Sequence, residues 1–531
     1  SFIPICAGRI ATGMDIIMKK LLSILLTAVM LLTLLVPAFA AESCDCDQTP
    51  VISVRGFGSE LYAVDANGNE KNAFAFSANE IAGMANGLLN ALTALAVKRD
   101  YDGFVAGLKN AVSVLAANLL CDENGDSVNT VVTHSEPTDV DKHKGDEFIY
   151  FRGDEDHNNY VFEYDWRLSA LELADQLNDY IEAVKKTTGH DQVTLISHSE
   201  GNNVTASYFY KYGSASVNKT VHLSAAWQGI SIVGEAFTKQ IDVENKGSGF
   251  ESFLTTFLGT DGFVGFINAL VSSLNRAGVL NALLNGLDRL FDKTLTQVYD
   301  EILVDTFATM PAMWGFVPDE YYADAKEAMF GGDAEKYAAL IEKIDAYHDN
   351  VQVRVPDIMH TAMDNGTAAA IVCGYGIAVI PISTVTDAQC DFLIDTKYAS
   401  LGATTAPFGG TLENGDPTYT SPDRLVDAST CAFPEITWFL KYQDHNNFCE
   451  PYQQFILWLV RFNGQPTVAT NPDYPQYMVC VAHQYLKPVE PTDRRDPQTL
   501  LQALLSFFRK LLAKVFGGAS LPAFDSGFGN C

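Results

Sequence analysis

The segment that most constrains this chain is Leu195-Ile196-Ser197-His198-Ser199-Glu200-Gly201-Asn202. Gln192 to Ile196 is a short, apolar, partly β-branched run, whereas Gly201 to Tyr212 has helical character. A strand must therefore become a helix within a few residues, with Ser199 at the apex. Such a turn is strained and needs small neighbours, here Ser197 and Gly201. It also sets a hydroxyl at the N-terminus of a helix, where the dipole favours developing negative charge.

The flanking sequence supplies a sheet for that turn. Pro50 to Val54 reads as a buried strand ending in the glycine turn Arg55-Gly56-Phe57-Gly58. Strand character recurs at Glu147–Phe151, Tyr160–Tyr164 and Thr220–Leu223. Leu168 to Lys186 carries Leu173, Ala174, Leu177, Ile181 and Val184 on one helical face, and Gly189 ends it. Strands alternating with helices predict a mostly parallel sheet flanked by helices. Residues 61–146 read as an insertion, with a helical stretch from Ala78 to Leu120 and a polar loop after it. Residues 228–364 are mainly helical and apolar and form a candidate cap or lid; sheet character resumes at Ala368–Cys373. The domain so delimited runs over 41–495, and 496–531 hold an amphipathic helix and a tail.

Residues 1–40 read as leader and signal peptide. Residues 1–17 precede Met18, which is read as the initiator. Met18-Lys19-Lys20 is a basic start, Leu21 to Val36 an apolar run, and Ala38-Phe39-Ala40 a small-x-small cleavage pattern. A retained anchor is the alternative. The chain is thus expected to be a secreted bacterial protein, extracellular or on the exterior of the envelope. Its net charge of −30 argues against nucleic acid or an anionic membrane as a general partner. Transient contact with a lipid surface, through the lid or the helix Leu500–Phe516, is the exception considered.

The cysteines beyond residue 40 are Cys44, Cys46, Cys121, Cys373, Cys390, Cys431, Cys449, Cys480 and Cys531, an odd number, so at least one has no partner within the chain. Cys431 and Cys449 are a candidate disulfide; pairing of either with Cys390 or Cys480, or two buried thiols, stays open. No cysteine sits with His at zinc-ligand spacing, and neither a metal nor a cofactor is implied. Asp65–Asn69 and Asp122–Asp126 look superficially like calcium loops, but they lack the glycine and the terminal glutamate of an EF-hand and read as Asx/Gly turns.

Pro50–Leu61, Tyr164-Asp165-Trp166-Arg167 and the Ser199 turn resemble the lecithin:cholesterol acyltransferase-like and lipase branch of the α/β hydrolases. Ala225-Ala226-Trp227-Gln228-Gly229 and Met310 to Pro318 are similar to two further segments of that branch, the first with two substitutions. The resemblance implies an α/β-hydrolase fold and a serine hydrolase of carboxylic esters, with lipid esters as the expected substrates. It equally admits acyl transfer to an alcohol. A secreted binding protein that keeps the fold without catalysis is the other class of reading.

In that fold the chain order is Ser, acid, His. Ser421–Ser429 is similar to the lipase turn that carries the acid, which makes Asp423 the candidate acid, with Arg424 where glycine is usual, and Asp427 the alternative. Trp438 to Asp444 reads as a strand running into a loop that ends at His445, the candidate base; His360 and His483 fit less well. The backbone N–H groups of Phe57 and Glu200 are the candidate oxyanion donors. The Glu200 side chain is expected to point outward as a first-turn helix acid.

Overall fold

Eight strands make the central sheet: β1 (Val51–Val54), β2 (Tyr160–Phe162), β3 (Val193–His198), β4 (Val217–Leu223), β5 (Ala368–Tyr375), β6 (Thr437–Lys441), β7 (Tyr477–Val481) and β8 (Tyr485–Pro488). Their spatial order is β2-β1-β3-β4-β5-β6-β7-β8. Every pairing is parallel except the terminal hairpin β7–β8. The computed structural model describes residues 48–73, 100–137, 159–240, 299–377, 389–446 and 449–491, except positions 59, 408, 409 and 483, together with residues 87, 90, 91 and 94. The leader, the strand expected at 147–151, the apolar stretch 262–291 and the helix 500–516 lie outside the described residues.

From β1 to β6 the strands are almost wholly buried on both faces, as in all-parallel sheets covered by helices, whereas the edge strand β8 is not. All six residues of β3 are buried. The helix α1 (Ala170–Thr188) packs Leu173, Leu177, Ile181 and Val184 inward, each contributing about 1.5–3 kcal/mol by leaving water. Ser169 caps its start, and Gly189, at φ 72°, closes its end by donating to the Lys185 carbonyl. The next helix, α2 (Gly201–Tyr212), starts directly from β3, so the predicted strand–turn–helix is formed.

The chain steps from β1 outward to β2 and then returns past β1 to β3, after which it only adds strands on the far side. The crevice at the carboxyl ends of β1 and β3 is thus the point where strand order reverses, the usual ligand position in open α/β sheets. It is bounded by Arg55-Gly56-Phe57 and by Ser199.

Much of the expected cap is helical: α3 (Ser231–Phe237), α4 (Asp319–Phe330), α5 (Ala338–Asn350) and α6 (Val355–Asp364). Of the helical stretch expected from Ala78 to Leu120, the structure describes residues 100–120 and only 87, 90, 91 and 94 before them. A described helix, Tyr101–Ala116, begins at Asp100, whose carboxylate accepts from the Gly103 N–H. The two acidic loops are closed turns: Asp65 accepts from the N–H groups of Asn67 and Asn69, and Asp122 from those of Asn124 and Asp126. Among the described residues, no helix is long and apolar enough to cross a membrane.

The pairing of Cys431 with Cys449 is corrected here. Cys449 Sγ lies 3.3 Å from Cys480 Sγ, while Cys431 is buried beside Cys373. Cys449 immediately precedes the helix α7 (Glu450–Arg461), and Cys480 is on β7. A bond between them closes a loop of 31 residues and, from chain entropy, contributes about 3.5 kcal/mol. Non-reducing peptide mapping of the oxidised protein should therefore recover a Cys449–Cys480 cross-link and leave Cys431 as a thiol. A Cys431–Cys449 peptide would contradict this packing.

Candidate active site

Ser199 has φ 55°, the left-handed backbone that a non-glycine residue adopts only under constraint. The constraint is visible on both sides. A Cβ on Gly201 would stand 2.4 Å from the Val54 carbonyl oxygen and 2.6 Å from that of Arg55, so only glycine lets α2 start so close to β1. A Cβ on Gly56 would meet the Ser199 Cβ at 2.8 Å. Ser197, which stands where such turns usually have glycine, is accommodated because its hydroxyl pairs with Thr205 Oγ1 at 2.7 Å. Asn202 ties the turn to β4: its Nδ2 donates to the carbonyls of Ser199 (2.9 Å) and Leu223 (3.2 Å). Its Oδ1 accepts from His222 Nδ1 at 2.8 Å. Burial holds His222 neutral, its pKa pushed down to about 3.

His445 lies at the end of the loop after β6, as expected. Its backbone carbonyl accepts from His198 Nε2 at 2.9 Å, and the two rings are 4.7 Å apart, which brings His445 against the residue preceding Ser199. Its Nδ1 is 2.8 Å from Oδ2 of Asp391. That fixes which ring nitrogen faces the carboxylate and turns Nε2 away from it.

Asp391 is not an acid the sequence pointed to, and the reading of Asp423 or Asp427 as the partner of His445 is corrected. Asp423 faces Lys441 Nζ at 2.8 Å and accepts from the Tyr375 hydroxyl at 3.2 Å; both ion-pair partners are almost wholly buried. Asp427 accepts from the Ser429 and Asp416 N–H groups and holds a turn together. The similarity to a lipase acid turn located a buried aspartate but not its partner. Asp391 sits instead in the loop following β5, the strand beside β6, so the two carboxyl-end loops meet. Its Oδ1 accepts from Leu393 N–H (3.1 Å) and Ile394 N–H (2.7 Å), and its carbonyl accepts from the His445 N–H at 3.0 Å. Burial opposes its ionisation, but the His445 ring and these donors outweigh it and hold the carboxyl below its ordinary range. Gly374 is required for this approach, since a Cβ there would stand 2.6 Å from the Asp391 Cβ. The signal in the sequence was positional: an acid between the Ser and the His, in the loop after the strand that neighbours the His strand.

The Tyr-Asp-Trp-Arg box supports the loop after β1. Arg167 is fully buried and grips Asp165 with Nε at 2.8 Å and Nη2 at 2.6 Å. Trp166 packs on the Phe57 ring with centroids 4.1 Å apart, and the Tyr164 hydroxyl donates to the Arg55 carbonyl at 2.5 Å. The segments around 225–230 and 310–318 meet each other: Ile230 N–H donates to the Phe316 carbonyl at 2.8 Å, and Gly229 lies against Pro318. Phe316 also approaches Phe57. The Glu200 side chain does not point outward as expected; it is buried at 2% exposure.

An eight-stranded, mostly parallel sheet with a strained Ser turn at its switch point is an α/β-hydrolase fold. Within that class, residues 153–237 match the family model described as lecithin:cholesterol acyltransferase. A solved structure described as "The crystal structure of Tle4-Tli4 complex" is 13% identical, with a TM-score of 0.27, over 87% of this chain and 98% of that one. No curated protein matches the chain.

Asp423→Asn should destabilise the protein by about 3–5 kcal/mol, because the buried Lys441 ammonium would lose its carboxylate partner. Urea unfolding of the variant measures it, and a midpoint equal to wild type would contradict the pairing.

Proposed function

We propose that the chain is a secreted serine hydrolase of carboxylic esters, lipid esters foremost, and that Ser199, His445 and Asp391 are its catalytic triad. The observation that carries this reading is the His445–Asp391 contact beside a strained Ser199 turn. In the reaction, His445 removes the proton of Ser199 Oγ as it attacks the ester carbonyl. The carbonyl oxygen becomes an oxyanion held by the N–H groups of Glu200 and Phe57. His445 then protonates the departing alkoxide, leaving an acyl-enzyme. Water, activated by the same imidazole, releases the acid. Asp391 keeps the imidazole in the productive tautomer and stabilises the imidazolium.

The name of the matched family supports a second acceptor, an alcohol in place of water at the second step. The serine, base and oxyanion donors would act identically, so the two outcomes differ only in what reaches the acyl-enzyme. Location outside the cell rests on residues 18–40.

Ser199→Ala should abolish labelling by a fluorophosphonate probe and lower p-nitrophenyl ester turnover by about 10⁴-fold or more. Activity within tenfold of wild type would overturn the assignment. Asp391→Asn should lower kcat about 10³–10⁴-fold through loss of the imidazole tautomer, whereas Asp423→Asn should cost far less per folded molecule. The reverse order in kcat, normalised to the labelled serine, would return the acid to Asp423.

A further inference from the structure

Ser199 and His445 come from strands that are not neighbours. Ser199 follows β3 and His445 ends the loop after β6, with β4 and β5 between those strands. At the usual strand spacing the separation is roughly 14 Å. The acid and the base need no such reach, because β5 and β6 pair side by side. His445 is joined to the acid loop twice: its N–H donates to the Asp391 carbonyl at 3.0 Å, and its Nδ1 lies 2.8 Å from Asp391 Oδ2. Those contacts set the base against the acid. They do not set how far the pair stands from the nucleophile.

His198, the last residue of β3, spans that gap. Successive side chains of a strand point to opposite faces. Ser197 turns its hydroxyl to Thr205 of α2, and His198 turns the other way, to the loop after β6. Its Nε2 lies 2.9 Å from the His445 carbonyl oxygen. A carbonyl only accepts, so Nε2 of His198 carries a proton and donates it. The two imidazole rings also pack, with centroids 4.7 Å apart and planes inclined by 39°. Both residues are buried, His198 at 6% exposure and His445 at 4%, which shelters the bond from competing water. It runs from the residue before the nucleophile to the main chain of the base itself.

We propose that His198 is a positioning residue that fixes the base against the nucleophile, through an Nε2–H donated to the His445 carbonyl. The bond holds the backbone of the base, the ring contact limits its rotation, and Asp391 sets its tautomer. His198 exchanges no proton with substrate in this role. Without the donor, the end of the loop after β6 would drift from the elbow while the His445–Asp391 contact survives. Proton transfer from Ser199 Oγ is sensitive to such drift, since a displacement of about 1 Å can cost on the order of 10²-fold in rate.

The donor and the ring contact are separable by substitution. His198→Gln keeps an N–H donor of similar reach without the ring, whereas His198→Phe keeps a ring without the donor. The inference rests on the serine-hydrolase reading, so fluorophosphonate labelling of wild type comes first. Wild type that does not label, or Ser199→Ala that labels equally, defeats that reading and the positioning role with it. With labelling established, His198→Phe should lower kcat for a p-nitrophenyl ester about 10–100-fold, normalised to serine labelled at completion, with KM within about threefold of wild type. His198→Gln should recover most of that loss. A role in packing alone gives the reverse order, with the phenylalanine variant the better enzyme. A second readout is independent of turnover: the low-field proton resonance of the His445–Asp391 hydrogen bond should persist in His198→Phe, because the acid–base pair stays intact. Wild-type kcat in His198→Phe, a glutamine variant no better than the phenylalanine one, a loss confined to KM, or disappearance of that resonance would each overturn the proposal.

Discussion

The candidate site depends on one close approach, that of the start of α2 to the carboxyl end of β1. Gly201 permits it, and the left-handed backbone of Ser199 is the strain it imposes. A strained residue persists only where its surroundings over-determine it. Here Asn202 ties the turn to β4, Gly56 packs against the Ser199 Cβ, and the Ser197–Thr205 pair fills the space behind. With that approach fixed, Phe57, Ser199 and Glu200 all lie just beyond the carboxyl ends of β1 and β3. A bulkier residue at 201 would lift the helix and disperse all three.

Most of the sheet was legible because its strands are buried on both faces, so each reads as a short apolar run bounded by turn residues. The elbow was legible for a different reason: it requires particular residue sizes at fixed spacing. His445 could be read because a strand running into a loop marks where a base can stand. What failed was partner choice. Asp391, Asp423 and Asp427 all lie between Ser199 and His445, and local sequence cannot say which loop folds back toward the imidazole. The parallel neighbourhood of β5 and β6 decides it, and that neighbourhood is a property of the whole sheet. The cysteines failed in the same way. Cys431 and Cys449 are near in sequence, yet Cys449 faces Cys480 across the β7 side of the sheet.

Glu200 was misread by a sound general rule. An acid in the first turn of a helix usually faces water, where it complements the dipole. Here tertiary packing leaves the acid only 2% exposed. The rule describes an isolated helix; tertiary cover changed what the side chain must do.

Three buried carboxyl groups around this crevice thus have different work, and their partners decide it. Asp423 faces the Lys441 ammonium in a buried ion pair that holds the loop in place. Asp391 faces an imidazole, which gains and loses a proton near neutral pH. In the proposed reaction the same attraction would strengthen as the ring takes the serine proton, and would stabilise that transient charge. Glu200 is buried with no ion-pair partner among the described residues, and burial, then the charge of Asp165, pushes its carboxyl well above its ordinary range. Exchanging the partners would exchange the functions: a lysine in place of His445 would make Asp391 an inert strut. The division between structure and chemistry at this site is therefore made by the group opposite each carboxyl, while burial, which all three share, only raises the stakes of the match.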